Sequence, residues 1–348
     1  MPPLPFETVR LLLKPLHDAT SPNGSEGHMP ELPEAEIARR TLTPWVVGRT
    51  IEQVVLRMPS RVKRPHGLSR EEADREVARF VAALQERTVE SVERCGKDLL
   101  FRLDDGDALA FNFGLWASVT LRSRLEGGQP EGCPPIKRLG LALRLGSANE
   151  RVDDEVRWLV FADIIFSTYG VQPFAPAPVP PPYDALDPGL DGPLLARLAA
   201  QAKPGKAKAA TAKPASPQPG ATPRAATRPG PAPQAKRFLM DDTCMLGIGN
   251  GYADEILWLA RINPLRPVTE LDEGGWRSLA DAVRAVLDDA IARGGELGFL
   301  DARCRRGRVE RRIHHRAGEP CPRCGTPLAG YTKSGRETDH CPVCQPLS

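Results

Sequence analysis

Apolar positions recur with helical spacing from Glu34 to about Trp45, and the period then changes. Residues 50–56, 89–92, 99–103, 108–113, 118–121, 141–145 and 156–161 read as short strands that alternate apolar and polar positions, interrupted by a helical pattern over 70–85. Many short strands with one or two helices predict a β-rich N-terminal domain, a β-sandwich with flanking helices, over 29–172. From Pro173 the chain turns Pro/Ala-rich, with a short helix expected over 194–200. Residues 201–235 hold no Leu, Ile, Val, aromatic or acidic residue and cannot form a core, so 173–235 is expected to be a linker. From Lys236 the helical period returns. Tyr252, Ile256 and Leu259 or Ala260 share one face, and Trp276, Leu279, Val283, Val286, Leu287 and Ala290 share another, stopped by Gly294 and Gly295. The expected architecture is α+β: a sandwich, a helical domain over 236–316 and a cysteine-bearing segment over 317–348.

Length supports this division, because 348 residues exceed what one core usually holds. Residues 1–28, rich in Pro, Gly and Ser towards their end, stand apart from it and precede a second methionine, Met29. They are expected to be a disordered leader or one that is not native.

A net charge of +3 says little, but its distribution says more. Seven arginines and one acid, Glu310, lie between Arg303 and Arg316, and four basic residues without an acid lie between Arg57 and Arg64. Each run suits a phosphate surface or a plain solvated face. The linker's Lys203, Lys206, Lys208, Lys213, Arg224 and Arg228 suit loose contact with a phosphate backbone or a simple spacer equally. No stretch approaches the ~20 apolar residues of a membrane span, and Leu11 to Leu13 is too short for a signal-peptide core. With Cys95, Cys133, Cys244 and Cys304 scattered, a reducing, cytoplasmic and nucleoid-associated location is expected.

The remaining cysteines carry the strongest chemical signal. Cys321-x2-Cys324 and Cys341-x2-Cys344 are separated by sixteen residues containing Gly325, Pro327, Gly330 and Gly335, enough for a hairpin that brings four thiolates around one structural Zn²⁺. His340 is a rival ligand, but the paired spacing favours sulfur. A filled Cys₄ shell organises a fold and leaves no position for activating water. Upstream, Leu246-Gly-Ile-Gly-Asn-Gly-Tyr-Ala-Asp-Glu sets a glycine-rich turn before a helix, where free N–H groups cap the helix or meet a phosphate. Asn250 lies near that cap.

Met29-Pro-Glu-Leu-Pro-Glu-Ala-Glu, Gly247-Ile-Gly-Asn-Gly-Tyr-Ala-Asp-Glu and Gly318-Glu-Pro-Cys-Pro-Arg-Cys-Gly through Cys344 occur in that order. They resemble the N-terminal signature, helix-two-turn-helix and zinc finger of the formamidopyrimidine-DNA glycosylase/endonuclease VIII family. The resemblance covers the chain from Met29 onward apart from the low-complexity insertion. It implies a monomeric base-excision enzyme for double-stranded DNA with damaged bases or abasic sites, with glycosylase and β,δ-elimination lyase chemistry through a Schiff base on an N-terminal proline. That proline is Pro30. The resemblance assigns proton transfer to Glu31, a supporting role to Glu34, and a catalytic phosphate contact beside the lesion to Lys97, in Arg94-Cys-Gly-Lys-Asp. It assigns further DNA contacts to Asn250 and Arg336, and the gap left by the extruded nucleotide to Leu115 or Trp116, for which strand packing is an equal alternative.

The sequence departs from the family in two places. Where the formamidopyrimidine branch carries Asp-Pro-Arg-Arg-Phe, this chain has Phe161-Ala-Asp-Ile-Ile-Phe-Ser, which keeps Asp163 and an aromatic, Phe166, but no arginine, so opposite-base preference does not carry over. The segment from Leu297 to His315 looks short of the usual lesion-covering loop. The proline chemistry also requires initiation at Met29 and methionine removal. With the leader retained, the alternative is a non-catalytic damaged-DNA-binding relative. A zinc-ribbon module on an unrelated β domain is a third reading, and it predicts binding by the C-terminal part alone with little salt dependence.

Overall fold

The computed structural model describes residues 30–114, 117–125, 133, 135–146, 156–162, 168–173, 183–202, 232–333 and 335–347. It divides into two compact units, one of residues up to Val179 with Ala285–Arg311, the other of Pro180–Arg284 with Arg312–Ser348.

In the first unit, helix α1 (Leu32–Val46) leads into β1 (Ile51–Leu56), and α2 (Arg70–Leu84) follows. Helix α2 begins where the Ser69 hydroxyl accepts the Glu72 N–H at 3.3 Å and the Glu72 carboxylate accepts the Ser69 N–H at 2.8 Å. Seven strands then run β2 (Val89–Cys95), β3 (Asp98–Leu103), β4 (Asp107–Asn112), β5 (Ser118–Arg122), β6 (Leu139–Leu145), β7 (Trp158–Ala162) and β8 (Thr168–Pro173). With β1 they form two four-stranded antiparallel sheets, ordered β1-β6-β7-β5 and β2-β3-β4-β8.

The inward residues of both sheets share one hydrophobic cluster with α1 and α2, as a sandwich requires. Phe161 of one sheet meets Phe101 and Phe111 of the other at ring separations of 5.8 and 4.8 Å. At the sheet edge the buried Arg49 guanidinium donates to the carbonyls of Leu145, Gly146 and Val156 at 2.9, 2.6 and 2.7 Å, which satisfies its donors inside the fold. Strand β8 has no counterpart in the sequence reading, because Gly170 and Pro173 interrupt its alternation. A Cβ at Gly170 would come 3.2 Å from Lys63 Cβ, a close approach that a larger residue would relieve only by moving the Lys63 side chain.

The second unit contains β9 (Tyr183–Asp184), α3 (Gly192–Gln201), α4 (Ala235–Leu239), β10 (Met245–Leu246) and α5 (Asn250–Ala260). Helix α6 (Glu273–Ala292) follows, and the hairpin β11 (Ala329–Lys333) to β12 (Arg336–His340) lies near the end of the described chain. Within the segment read as linker, β9 pairs in parallel with β10, and α3 buries Leu194, Leu195 and Leu198. Asp191 caps α3 by accepting the Leu194 N–H at 2.7 Å. Gly192 admits the backbone of α6, since a Cβ there would lie 2.9 Å from the Arg277 nitrogen. The fold is therefore an N-terminal two-sheet domain, a helical region and a C-terminal hairpin that presents the paired cysteines.

Cys133 and Cys304 form a disulfide although 171 residues separate them. The scattered cysteines had suggested thiols throughout, and nothing in their spacing marks this pair. The pairing comes from topology, because the Leu121 N–H bonds the Ala302 carbonyl at 2.8 Å and so lays the segment after α6 along β5. Among the described residues, no helix is long and apolar enough to cross a membrane.

Candidate active site and zinc finger

Pro30 and Glu31 are buried at the start of α1. Glu34, one turn on, points both carboxylate oxygens at backbone: one accepts the Glu31 N–H at 3.0 Å, the other the Glu296 N–H at 3.2 Å. Glu296 follows Gly295, whose φ of 87° ends the turn after α6 and whose missing Cβ leaves room for Phe299 and Glu34. The Glu296 carboxylate is held by the Arg311 guanidinium through two bonds of 2.9 and 2.7 Å. Four ionisable groups thus act on Glu31. Burial raises its pKa most, the Lys97 ammonium lowers it, Glu296 and Glu34 raise it and Arg311 lowers it, leaving it at about 6. A carboxyl tuned to that range exchanges protons near neutral pH.

Lys97 sits in the tight turn from β2 to β3 beside Gly96, whose φ is 58°. The turn is tied to α1 through Arg94, which donates to the Gly96 carbonyl at 2.8 Å and to the Glu36 carboxylate at 3.1 Å. Burial opposes the charge on Glu36, but hydrogen bonds from Arg39, Arg40 and Arg94 hold its pKa at about 2. Pro30, Glu31, Glu34 and Lys97 accordingly belong to one assembly, the first three on a helix start and Lys97 on a strand turn pinned to that helix. Leu115 and Trp116, and Asp163 and Phe166, lie outside the described residues.

In the second unit Asn250 is the first residue of α5 after the Gly249 cap. Its Nδ2 donates to the Glu337 carbonyl at 3.0 Å, and the same oxygen accepts Lys236 Nζ at 2.8 Å. Arg336, next to Glu337, is exposed at the start of β12 after the turn at Gly335. The fold therefore brings Asn250 to the residue adjoining Arg336. Lys236 also pairs with Asp254 at 2.7 Å, and Asp254 receives the His314 ring Nδ1 at 2.7 Å. Asp254, His314 and Asp339 cluster closely enough for a metal ion, but the Lys236 ammonium already supplies a positive charge to Asp254. The sequence reading missed Glu296, Lys236 and His314, because each has a role only once distant segments meet.

The Sγ atoms of Cys321, Cys324, Cys341 and Cys344 all lie within 4.8 Å of one another, with Cys321–Cys344 at 4.0 Å and Cys324–Cys341 at 3.5 Å. Four sulfurs at ~2.3 Å from a tetrahedral Zn²⁺ stand about 3.8 Å apart, so the arrangement fits one ion. Trp258 Nε1 donates to Cys321 Sγ at 3.4 Å and the Cys344 N–H to Cys341 Sγ at 3.3 Å, the second-layer donors that thiolate ligands need. His340 is not in the cluster, and its ring packs edge-on against Tyr331 at 6.0 Å.

The structure thus combines a two-sheet domain that buries a glutamate with a raised pKa, a glycine-capped helix and a hairpin carrying four clustered cysteines. Comparison with known proteins gives the family. Residues 29–159 match the formamidopyrimidine-DNA glycosylase N-terminal domain, 228–299 its H2TH domain and 318–347 the zinc finger found in FPG and IleRS. A formamidopyrimidine-DNA glycosylase of Nocardioides sp. is 32% identical over 329 residues, spanning 91% of this chain and 95% of its own. One of Paraburkholderia phymatum is 33% identical over 322 residues, spanning 91% and 100%. Among solved structures, the MutM (Fpg) protein of Thermus thermophilus superposes with a TM-score of 0.66 at 27% identity, covering 92% of this chain and 100% of its own. The Lactococcus lactis Fpg in complex with abasic-site DNA shares the fold with a TM-score of 0.66 at 22% identity, covering 91% and 99%. The chain belongs to the formamidopyrimidine-DNA glycosylase family.

Proposed function

We propose that this chain excises oxidised or ring-opened bases from double-stranded DNA and then cleaves the abasic strand by β,δ-elimination, with Pro30 as nucleophile. The observation that carries this reading is the buried start of α1, where Pro30 adjoins a carboxyl tuned to about 6 and electrostatically coupled to Lys97.

The chemistry requires Pro30 as a terminal secondary amine, because an amide nitrogen has no available lone pair; initiation at Met29 and methionine removal supply it. The amine lone pair attacks C1′ of the extruded nucleotide and the base departs with the electron pair of the glycosidic bond; the attached nitrogen sheds its proton, which restores its lone pair, and the departing base takes up one proton. As the sugar ring opens, Glu31 passes a proton to the ring oxygen and the nitrogen lone pair forms an iminium. The iminium acidifies the C2′ hydrogens. Loss of one expels the 3′ phosphate, and a second elimination expels the 5′ phosphate. Lys97 binds the phosphate beside the lesion, and Glu34 holds the Glu31 backbone in place. Asn250 and Arg336 contact backbone phosphates and position the duplex without reading sequence. Zn²⁺ on the four cysteines contributes structure only.

Base release and strand scission on duplexes carrying a ring-opened purine, an oxidised pyrimidine or an abasic site test the reading. Glu31→Gln and Lys97→Ala should each depress scission by roughly 100-fold or more. Binding without base release or scission by a chain that keeps the residues before Pro30 would favour the non-catalytic damaged-DNA-binding alternative, and the same result from a chain whose terminus is Pro30 would overturn the proposed chemistry.

A further inference from the structure

The arginine run after α6 suits from sequence a phosphate surface or a solvated face, yet its members differ. Arg305 keeps 71% of its side chain exposed, whereas Arg311 keeps 20% and spends its planar fork on the Glu296 carboxylate. Glu296 is in turn fastened to the α1 assembly through its backbone, which donates to Glu34, the carboxylate that also holds the Glu31 N–H. A continuous path, Arg311 to Glu296 to Glu34 to Glu31, joins the loop after α6 to the residue that would move protons. Gly307 lets the loop fold back this far, since a Cβ there would fall 2.2 Å from the Glu296 carbonyl.

We propose that Glu296 and Arg311 are a positioning pair whose balance of charge sets the proton occupancy of Glu31. The inference rests on the proposed role of Glu31 and adds to it the groups that tune that residue. Glu31 is faced by Glu34 from its own helix, by Lys97 from the β2–β3 turn, and by Glu296 and Arg311 from the segment after α6. Glu296 favours the protonated acid and Arg311 favours the carboxylate, so each masks the other in the intact pair. Without Arg311 the nearly buried Glu296 charge would act on Glu31 unopposed. Without the Glu296 charge, the Arg311 guanidinium would.

The two residues must therefore move Glu31 in opposite directions, which a merely structural role would not do. The test uses the full chain with its Pro30 terminus, carrying ¹³C-labelled glutamate, with the Glu31 carboxyl signal assigned by its loss in Glu31→Gln. Its titration is followed by NMR in wild type, Glu296→Gln, Arg311→Met and the double variant, beside the pH profile of abasic-strand scission. Glu296→Gln should lower the Glu31 midpoint by roughly half a pH unit or more, Arg311→Met should raise it by a similar amount, and the double variant should return towards wild type. The alkaline limb of the scission profile should follow each shift. Unchanged midpoints, or shifts of both single variants in one direction, overturn the proposal. Should Arg311→Met not fold, Arg311→Gln, which also removes the charge but keeps a polar group beside Glu296, should raise the Glu31 midpoint in the same direction, and an unchanged midpoint there overturns the proposal. A wild type without scission at any pH would sink the proposed function, while the NMR midpoints would still decide the role of the pair.

Discussion

Asn250 Nδ2 and Lys236 Nζ both donate to the carbonyl oxygen of Glu337, at 3.0 and 2.8 Å. One backbone atom thus joins the start of α5 to the hairpin and fixes where Arg336 begins. Asn250→Ala should weaken binding to abasic duplex by about tenfold with little change in salt dependence, since no charge is lost. Arg336→Ala should weaken binding and reduce the slope of log affinity against log salt by about one. Fluorescence anisotropy across a salt series distinguishes the two.

The sulfur cluster predicts one zinc per chain, released on denaturation and counted with a colorimetric chelator. Cys341→Ser should lose most of the bound zinc and at least about tenfold in DNA affinity, because metal binding and folding of such a hairpin are one event.

Glu31 predicts an exchange of stability for chemistry. Its folded pKa of about 6 lies above its ordinary value of 4.5, so the folded state binds the proton more tightly than the unfolded state and stability falls as pH rises between the two values. Glu31→Gln should therefore be more stable than wild type at pH 7.5 by on the order of 1–2 kcal/mol and nearly equal to it at pH 4, in urea titrations. Glu36 runs the other way. Its pKa of about 2 means that its stabilisation is present above about pH 4.5 and fades as pH falls towards 2, so the penalty of Glu36→Gln should shrink over that window.

Phe161 lies fully buried between Phe101 and Phe111. Phe161→Ala should cost about 3–5 kcal/mol in equilibrium unfolding, because the cavity opens between two sheets that cannot close on it.

Local pattern carried most of the architecture. Seven of the eight sandwich strands, α1, α2, the long helix ended by Gly294 and Gly295, and the cysteine spacing were each legible because their signal lies within a few residues. Strand β8 escaped because Gly170 and Pro173 break its alternation, and it is held by pairing with β4 about sixty residues earlier in the chain. The disulfide of Cys133 with Cys304 and the pair of Glu296 with Arg311 escaped for a related reason: each depends on how the segment after α6 folds back. Pro30, Glu31, Glu34 and Lys97 could be named through the family motif, but the tuning of Glu31 could not. It arises from burial and from charges contributed by three separate stretches of chain.

The most direct measurement is covalent capture. The full gene is expressed, the purified protein weighed intact, and the protein incubated with abasic-site duplex and sodium borohydride, which reduces an iminium to a stable amine. The expected result is a chain whose terminus is Pro30, a protein–DNA adduct of one protein per strand by mass, and an adduct weakened or abolished by Pro30→Gly. A chain that binds the duplex with Pro30 at its terminus yet forms no adduct, or an adduct unaffected by Pro30→Gly, would contradict the assignment of Pro30 as nucleophile.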